Sequence, residues 1–245
     1  MLEQRNATAA VIGAGDYIGA AIAKRFAAEG YTVFAGRRNG DQLAGLKAEI
    51  EAAGGRCEAR SLDARKEDDV AAFLDAANEA APLEVCVFNV GANVNFPILE
   101  TTERVFRKVW EMACYGGFLT GREAARHMTA NGKGSIFFTG ATASMRGGVG
   151  YAAFAAAKFG LRAVAQSMAR ELGPKNIHVA HLVIDSGVDT AWVRERRAAG
   201  GAATDLEPDQ LMNPSSIAEA YWQLHSQHRD GWTFELDLRP YGERW

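Results

Sequence analysis

Lys158 stands in the alanine-rich run Gly147–Leu161, which reads G-G-V-G-Y-A-A-F-A-A-A-K-F-G-L. Small residues let a backbone or a flat ligand come close, so a cation among them suggests a charge held for a bound molecule. The structural alternative is a lysine whose stem packs and whose ammonium reaches water. Phe154 lies four residues earlier and shares its helix face. Tyr151 lies seven residues earlier, nearly two turns, and joins that face if the helix begins early enough.

A second group lies near the start. The segment G-A-G-D-Y-I-G, Gly13–Gly19, follows a short apolar run and precedes a helical pattern. Glycines let backbone approach a pyrophosphate, and a helix N-terminus offers free N–H groups and the positive end of a dipole. Within a strand–helix–strand context this points to a dinucleotide. Gly36 and Arg37 end the next strand, where an acidic residue would accept from a ribose 2′-hydroxyl. They leave room and positive charge for a 2′-phosphate instead, with Arg38 alongside, so NADP(H) is expected over NAD(H). The alternative is a solvated surface pair of arginines.

The elements that would position these residues alternate in type. Strands are expected at Thr8–Gly13, Tyr31–Gly36, Arg56–Leu62, Leu83–Asn89, Ser135–Thr139, Ile177–Ile184 and Trp232–Leu238. Helices are expected between them, including long ones over about Thr101–Thr129 and Tyr151–Gly173, and one over Pro214–His225. Alternating strands and helices predict a parallel sheet covered on both faces, an α/β Rossmann-type domain. Such sheets bind ligands beyond the carboxyl ends of the strands, where strand order reverses. Gly13–Gly19, Arg37, Asp63, Asn89–Gly91, Thr139–Ser144 and Ile184–Thr190 all fall at those ends. The polar, arginine-rich segment of about residues 188–213 reads as a mobile lid over them. Its Arg194, Arg196 and Arg197 suit a substrate carboxylate or phosphate, or simply form a solvated face.

Composition narrows the class. The chain has 245 residues, 48% of them hydrophobic, and a net charge of −3. That fits one α/β domain with a large core and gives no general pull toward nucleic acid or an anionic membrane. Cys57, Cys86 and Cys114 are far apart, which argues for a reducing compartment and against a metal site. No apolar run reaches spanning length, and the opening M-L-E-Q-R-N is too polar for a signal peptide. A cytoplasmic protein is the expectation.

With these motifs in order along the chain, the sequence resembles the short-chain dehydrogenase/reductase family over essentially its whole length. The resemblance implies a single domain over residues 1–245, with a doubly wound sheet of seven parallel strands and helices on both faces. It implies a homodimer or homotetramer formed through the two long helices. It places Gly13, Gly15, Tyr17, Ile18 and Gly19 at the pyrophosphate and Arg37 and Arg38 at the 2′-phosphate. Asp63 and Ala64 would meet the adenine, and Asn89, Val90 and Gly91 would line the pocket. Asp185 would stand where the loop after the sixth strand meets the nicotinamide carboxamide, and Thr190 would be a further cofactor contact. Lys158 would hold the nicotinamide ribose and lower the pKa of a tyrosine four residues before it.

The departures from the family pattern concern the chemistry. The tyrosine position is Phe154, the serine position is Ala141, and the asparagine that braces the lysine matches Cys114. Tyr17 stands where a third glycine is usual. Phe154 and Ala141 carry no exchangeable proton, so the ordinary relay is absent and the chain reads as an atypical subgroup. Tyr151, Thr142, Ser144 and Asp185 are the groups available to replace it. Each has a structural alternative: pocket wall for Tyr151, turn capping for Thr142 and Ser144, turn initiation for Asp185. His178 and His181, on a strand, read as packed residues. Two functions follow from the resemblance. One is an NADP(H)-dependent oxidoreductase of a small carbonyl or alcohol with non-standard proton delivery. The other is an inactive cofactor-binding sensor or a partner subunit in a mixed oligomer.

Overall fold

The computed structural model describes residues 3–199 and 209–243. The strands are β1 (Thr8–Ile12), β2 (Thr32–Arg37), β3 (Arg56–Ser61), β4 (Leu83–Phe88), β5 (Gly134–Thr139), β6 (Ile177–Ile184) and β7 (Glu235–Leu238). They form one seven-stranded sheet in the order β3-β2-β1-β4-β5-β6-β7. Every neighbouring pair is parallel. The helices are α1 (Ile18–Ala28), α2 (Ala44–Ala52), α3 (Glu67–Ala80), α4 (Glu103–Trp110), α5 (Gly116–Asn131), α6 (Ala152–Leu172), α7 (Ala191–Ala199) and α8 (Pro214–His225).

Because side chains alternate along a strand, each strand feeds two cores. Ala9, Val11, Val33, Ala35, Val85 and Val87 face α1, α2 and α8, where Ile22, Phe26, Ile50, Ile217 and Tyr221 are buried. Ala10, Ile12, Phe34, Cys86 and Phe88 face α3, α5 and α6, where Phe73, Leu74, Met128, Leu161 and Ala165 are buried. Burial on both faces is why these strands read as nearly continuous apolar runs. Strand order reverses at β1, which pairs with β2 on one side and β4 on the other. The crevice beyond the carboxyl ends of β1 and β4 is the binding position of such a sheet.

The structure revises several boundaries. The long helix expected over Thr101–Thr129 is α4 and α5 joined by one π turn at Glu111–Tyr115, which holds the buried Cys114. Helix α6 begins at Ala152, so Tyr151 is its N-cap rather than a residue of its first turn. The last strand is Glu235–Leu238, not Trp232–Leu238, because the preceding Arg229–Gly231 turn brings Trp232 flat onto His178, with ring centroids 4.9 Å apart. The expected lid spans the helix α7 and residues 200–208, which lie outside the described residues. No helix among the described residues is long and apolar enough to cross a membrane.

Candidate active site

The turn after β1 is built for close approach. Gly13 has φ +88°, and a Cβ there would sit 2.8 Å from the carbonyl carbon and oxygen of Asn89. At Gly15 nothing lies within 4 Å of where a Cβ would be, so the turn is open toward the cleft. Ile18 and Gly19 begin α1, whose first turn leaves N–H groups without intrahelical partners. Tyr17 precedes that helix, and its hydroxyl accepts a hydrogen bond from the Ala191 N–H at 3.2 Å. The phenol thereby joins the glycine turn to the start of α7.

The ends of β1, β4 and β5 are tied together beneath this turn. The Asn89 amide donates to the Gly13 carbonyl at 3.1 Å and accepts from the Thr139 hydroxyl at 3.0 Å. The Thr139 hydroxyl also meets the buried Tyr221 hydroxyl at 2.7 Å. This chain fixes the floor of the crevice. Asn89 and Thr139 were legible as strand-end residues; Tyr221 becomes recognisable only once α8 is in place.

Two adjoining cavities share Gly13, Gly15, Asn89, Val90 and Gly91. The one of about 480 Å³ also holds Arg37, Arg38, Asp63 and Ala64. Arg37 donates to the Asp16 carboxylate at 3.0 Å, so its charge is partly answered from within the glycine turn. Asp63 is held by Arg65 through hydrogen bonds of 2.9 and 2.6 Å, which lower its carboxyl to about 2. Its side chain is therefore an ionised, oriented acceptor at the cavity edge.

The second cavity, of about 680 Å³, brings together Tyr17, Ile18, Gly19, Ala141, Thr142, Tyr151, Phe154, Lys158 and Thr190. Lys158 is buried, and desolvation lowers its ammonium to about 8. It donates to the Thr139 carbonyl at 2.8 Å and the Val90 carbonyl at 3.4 Å. An ammonium has three donors, so one remains for a ligand in the cleft. Cys114, beside Lys158, is pushed up by burial and stays a neutral thiol. The Phe154 ring lies 5.9 Å from the lysine nitrogen. The Tyr151 hydroxyl accepts from the Arg196 guanidinium at 3.0 Å, and that guanidinium stacks over Trp192 at 5.2 Å.

Two expected residues stand outside the cleft. Ser144 is fully buried, and its hydroxyl accepts from the Ala141 N–H at 3.1 Å, closing the 142–144 turn. It is a turn cap with no face toward a substrate. Asp185 is also buried and turns away to Arg239 at 3.1 Å and Arg146 at 3.4 Å, because two guanidiniums compensate its charge there. Its neighbours Ile184 and Ser186 line the cavity in its place. Arg146 and Asn93 line it too. Both sit in irregular loops, which gave no periodic signal to place them. Away from the cleft, Asp75, Glu123 and His127 gather between α3 and α5. There His127 stands 3.0 Å from Asp75, and Arg126 donates to Glu123 at 3.1 Å, an ion-pair cluster between two helices.

The residues fit a dinucleotide. The open face at Gly15 is the space that any Cβ would fill, Lys158 keeps one donor, and Arg37 and Arg38 form a basic end. The sheet order and the position of the cleft define a Rossmann-type nucleotide-binding protein. Residues 7–200 match the sequence model described as short chain dehydrogenase. The chain belongs to this family of oxidoreductases. The crystal structure of a short-chain dehydrogenase from Rhodopseudomonas palustris is 68% identical, with a TM-score of 0.84 over 97% of this chain and 100% of that one. The 3-oxoacyl-[acyl-carrier-protein] reductase MabA of Mycobacterium tuberculosis is 30% identical over 210 residues, 85% of this chain and 81% of the relative. A metagenomic short-chain oxidoreductase solved in complex with NADP is 25% identical, with a TM-score of 0.80 over 97% of this chain and 98% of that one.

Proposed function

We propose that the protein is an NADP(H)-dependent oxidoreductase of a small carbonyl or alcohol, with Tyr151 in place of the usual proton donor. The observation that carries this reading is the meeting of Lys158, Tyr151 and the open glycine turn in one cleft. Arg37 and Arg38 are the residues that would take a 2′-phosphate, and the NADP in the metagenomic relative supports that choice. Lys158 would spend its remaining N–H on the nicotinamide ribose. A bound nicotinamide supplies or accepts the hydride.

The chain's own residues must then manage the proton. Phe154 and Ala141, at the family's tyrosine and serine positions, have none to give. The Tyr151 oxygen accepts from Arg196, which leaves the phenolic O–H free to donate into the cleft. As a carbonyl becomes an alkoxide, the phenolic O–H bond breaks and the new alcohol O–H forms. Arg196 then stabilises the phenolate by a charge-assisted hydrogen bond until solvent restores its proton. A positioned acid contributes about 10²–10⁴-fold. The experiment is NADPH oxidation against aldehydes, diketones and keto esters by the wild type and Tyr151→Phe. Turnover that collapses in the variant supports the reading. Cofactor binding without turnover by the wild type would leave an NADP(H)-binding sensor or partner subunit.

Self-association through α5 and α6 belongs to the same proposal. Trp110, Tyr115 and Phe118 stack in sequence along α4 and α5, with centroids 5.8 and 6.3 Å apart. Phe159 on α6 is exposed as well. These rings are apolar area that a second copy would cover.

A further inference from the structure

We infer that the substrate carries a carboxylate next to or one carbon removed from its reacting carbonyl, and that Arg196 with Arg146 recognises it. The inference rests on the reductase reading for the identity of the reacting group. It rests on the arrangement of the lid arginines for the anion.

The arginines of α7 are not equivalent. Arg194 turns out to Asp189, with hydrogen bonds of 2.6 and 2.8 Å, and is neutralised there. Arg196 turns in. It stacks on Trp192 and reaches the Tyr151 hydroxyl, and among the described residues it has no carboxylate partner. A guanidinium has five donors in a rigid fork matched to a carboxylate, and Tyr151 takes one of them. The rest of the fork is solvent-exposed beside Tyr151, which lines the cavity together with Ala141, Ala143, Phe154 and Ile184. Arg146 lines the same cavity, and the Asp185 carboxylate it approaches at 3.4 Å is shared with Arg239 at 3.1 Å. Arg146 thus lines the cavity and Arg196 stands at Tyr151 on its edge, while Asp185, the acid that Arg146 approaches, does not line it.

Geometry limits where the anion sits. The Arg196 nitrogen is 3.0 Å from the Tyr151 oxygen. A phenol donating to a substrate carbonyl stands about 2.7 Å from its oxygen. That nitrogen is therefore no more than about 6 Å from the reacting oxygen. That distance suits a 2-oxo or 3-oxo acid and its hydroxy-acid counterpart. A carboxylate at the far end of a long chain would lie beyond it.

The test compares acetoacetate with methyl acetoacetate, which share the reacting ketone and differ in the carboxylate charge and one ester methyl group. Two readouts are used: NADPH oxidation, and calorimetric titration of the NADP⁺-loaded protein, in which no turnover occurs. We expect the wild type to bind and turn over the acid at least tenfold better than the ester. Arg196→Ala should remove roughly 10- to 100-fold of that preference, the effect of losing a charged hydrogen bond. The ester should be little changed in binding, and Arg196→Lys should restore part of the preference. Equal binding of acid and ester, or a loss in Arg196→Ala that is the same for both, would overturn the inference. Arg196-dependent acid binding without turnover would sustain it while the reductase reading fails. Turnover without acid preference would do the reverse. A thermal melt of each variant separates loss of the site from loss of the fold.

Discussion

The Asp16 carboxylate, in the glycine turn, accepts a hydrogen bond from Arg37 at the end of β2 at 3.0 Å. If Arg37 takes a 2′-phosphate, as the proposed function has it, the phosphate and Asp16 would compete for one guanidinium. Arg37→Ala should weaken NADPH binding by about 10- to 100-fold, the loss of a charge-assisted contact, and leave NADH nearly unchanged. Asp16→Asn should act in the opposite direction, tightening NADPH alone. Cofactor fluorescence titration measures all four affinities. A mutant lacking Arg37 that still prefers NADPH would remove that residue from the site.

Lys158 gives a prediction in pH. Burial holds its ammonium down to about 8, so the folded protein loses this proton well below the usual lysine range. As pH rises from 7 to 9, the donor that would hold a ribose hydroxyl and face an anionic cofactor becomes a neutral amine. NADPH affinity should therefore fall through pH 8. Lys158→Met, which keeps the stem and lacks the charge, should bind weakly and show no such step. The folding balance runs the other way. The unfolded chain binds this proton between about 8 and 10.5 and the folded one does not, so Lys158 costs least stability at high pH. A wild-type affinity that is flat from pH 7 to 9 would contradict the assignment.

Much of this arrangement is legible in the residues. The apolar strands, the glycine turn and the arginine after β2 are local signals, and each falls where its type of backbone or charge is needed. The expected site residues would be of little use without the sheet order that gathers them, and right-handed connections between parallel strands limit the orders available. What sequence does not carry is the direction of individual side chains. Asp185 sits at the expected strand end, yet two arginines turn it from the cleft. Ser144 follows Ala141 in the expected loop, yet closes its own turn. The partner of Tyr151 comes from Arg196 on α7, 45 positions away, and no local pattern announces that contact.

Two buried histidines set an acid limit. His225 lies between the Ser135 hydroxyl at 2.9 Å and the Tyr31 hydroxyl at 2.8 Å, and burial holds it down to about 4. His181 is likewise lowered to about 4 by burial, against the pull of its hydrogen bond to Glu235. Both fold as neutral rings. The unfolded chain takes up these protons near pH 6.5 and the folded chain does not, so their contribution is complete above 6.5 and is lost as pH falls toward 4. Each ring adds at most about 1.4 kcal/mol per pH unit in that window. Urea denaturation at pH 7.5, 6.5, 5.5 and 4.5 should show the loss, and His225→Gln should reduce its slope. A constant midpoint across the series would show that the rings protonate in place.

The exposed rings of α4, α5 and α6 predict association. Light scattering should give a dimer or tetramer, and Phe118→Glu combined with Phe159→Glu should shift it toward monomer with secondary structure retained. A wild type that is monomeric at micromolar concentration would leave those rings without a partner.

The proton donor is the decisive question, because Phe154 occupies the position four residues before Lys158 and has no proton to give. Tyr151 is one position before α6, with its hydroxyl held by Arg196 at 3.0 Å and its ring in the same cavity as Phe154 and Lys158. If its phenol delivers the proton, Tyr151→Phe should lower kcat by about 10²-fold or more and leave NADPH affinity unchanged, since the contact is made as the alkoxide forms. Arg196→Ala should also lower kcat, by less, because the phenol remains and only the phenolate loses its charge-assisted partner. If Thr142 or water delivers the proton, Tyr151→Phe should be nearly silent and Thr142→Val should carry the loss. Phe154→Tyr is the converse experiment. It places a hydroxyl where the resemblance to the family expects one, beside Lys158, although Ala141 would still leave the carbonyl unpolarised. In a Tyr151→Phe background it should recover part of the lost turnover, for the second phenol then has no competitor. A rise in turnover by Phe154→Tyr alone, with Tyr151→Phe silent, would mean that Tyr151 is a wall of the pocket and that proton delivery lies elsewhere.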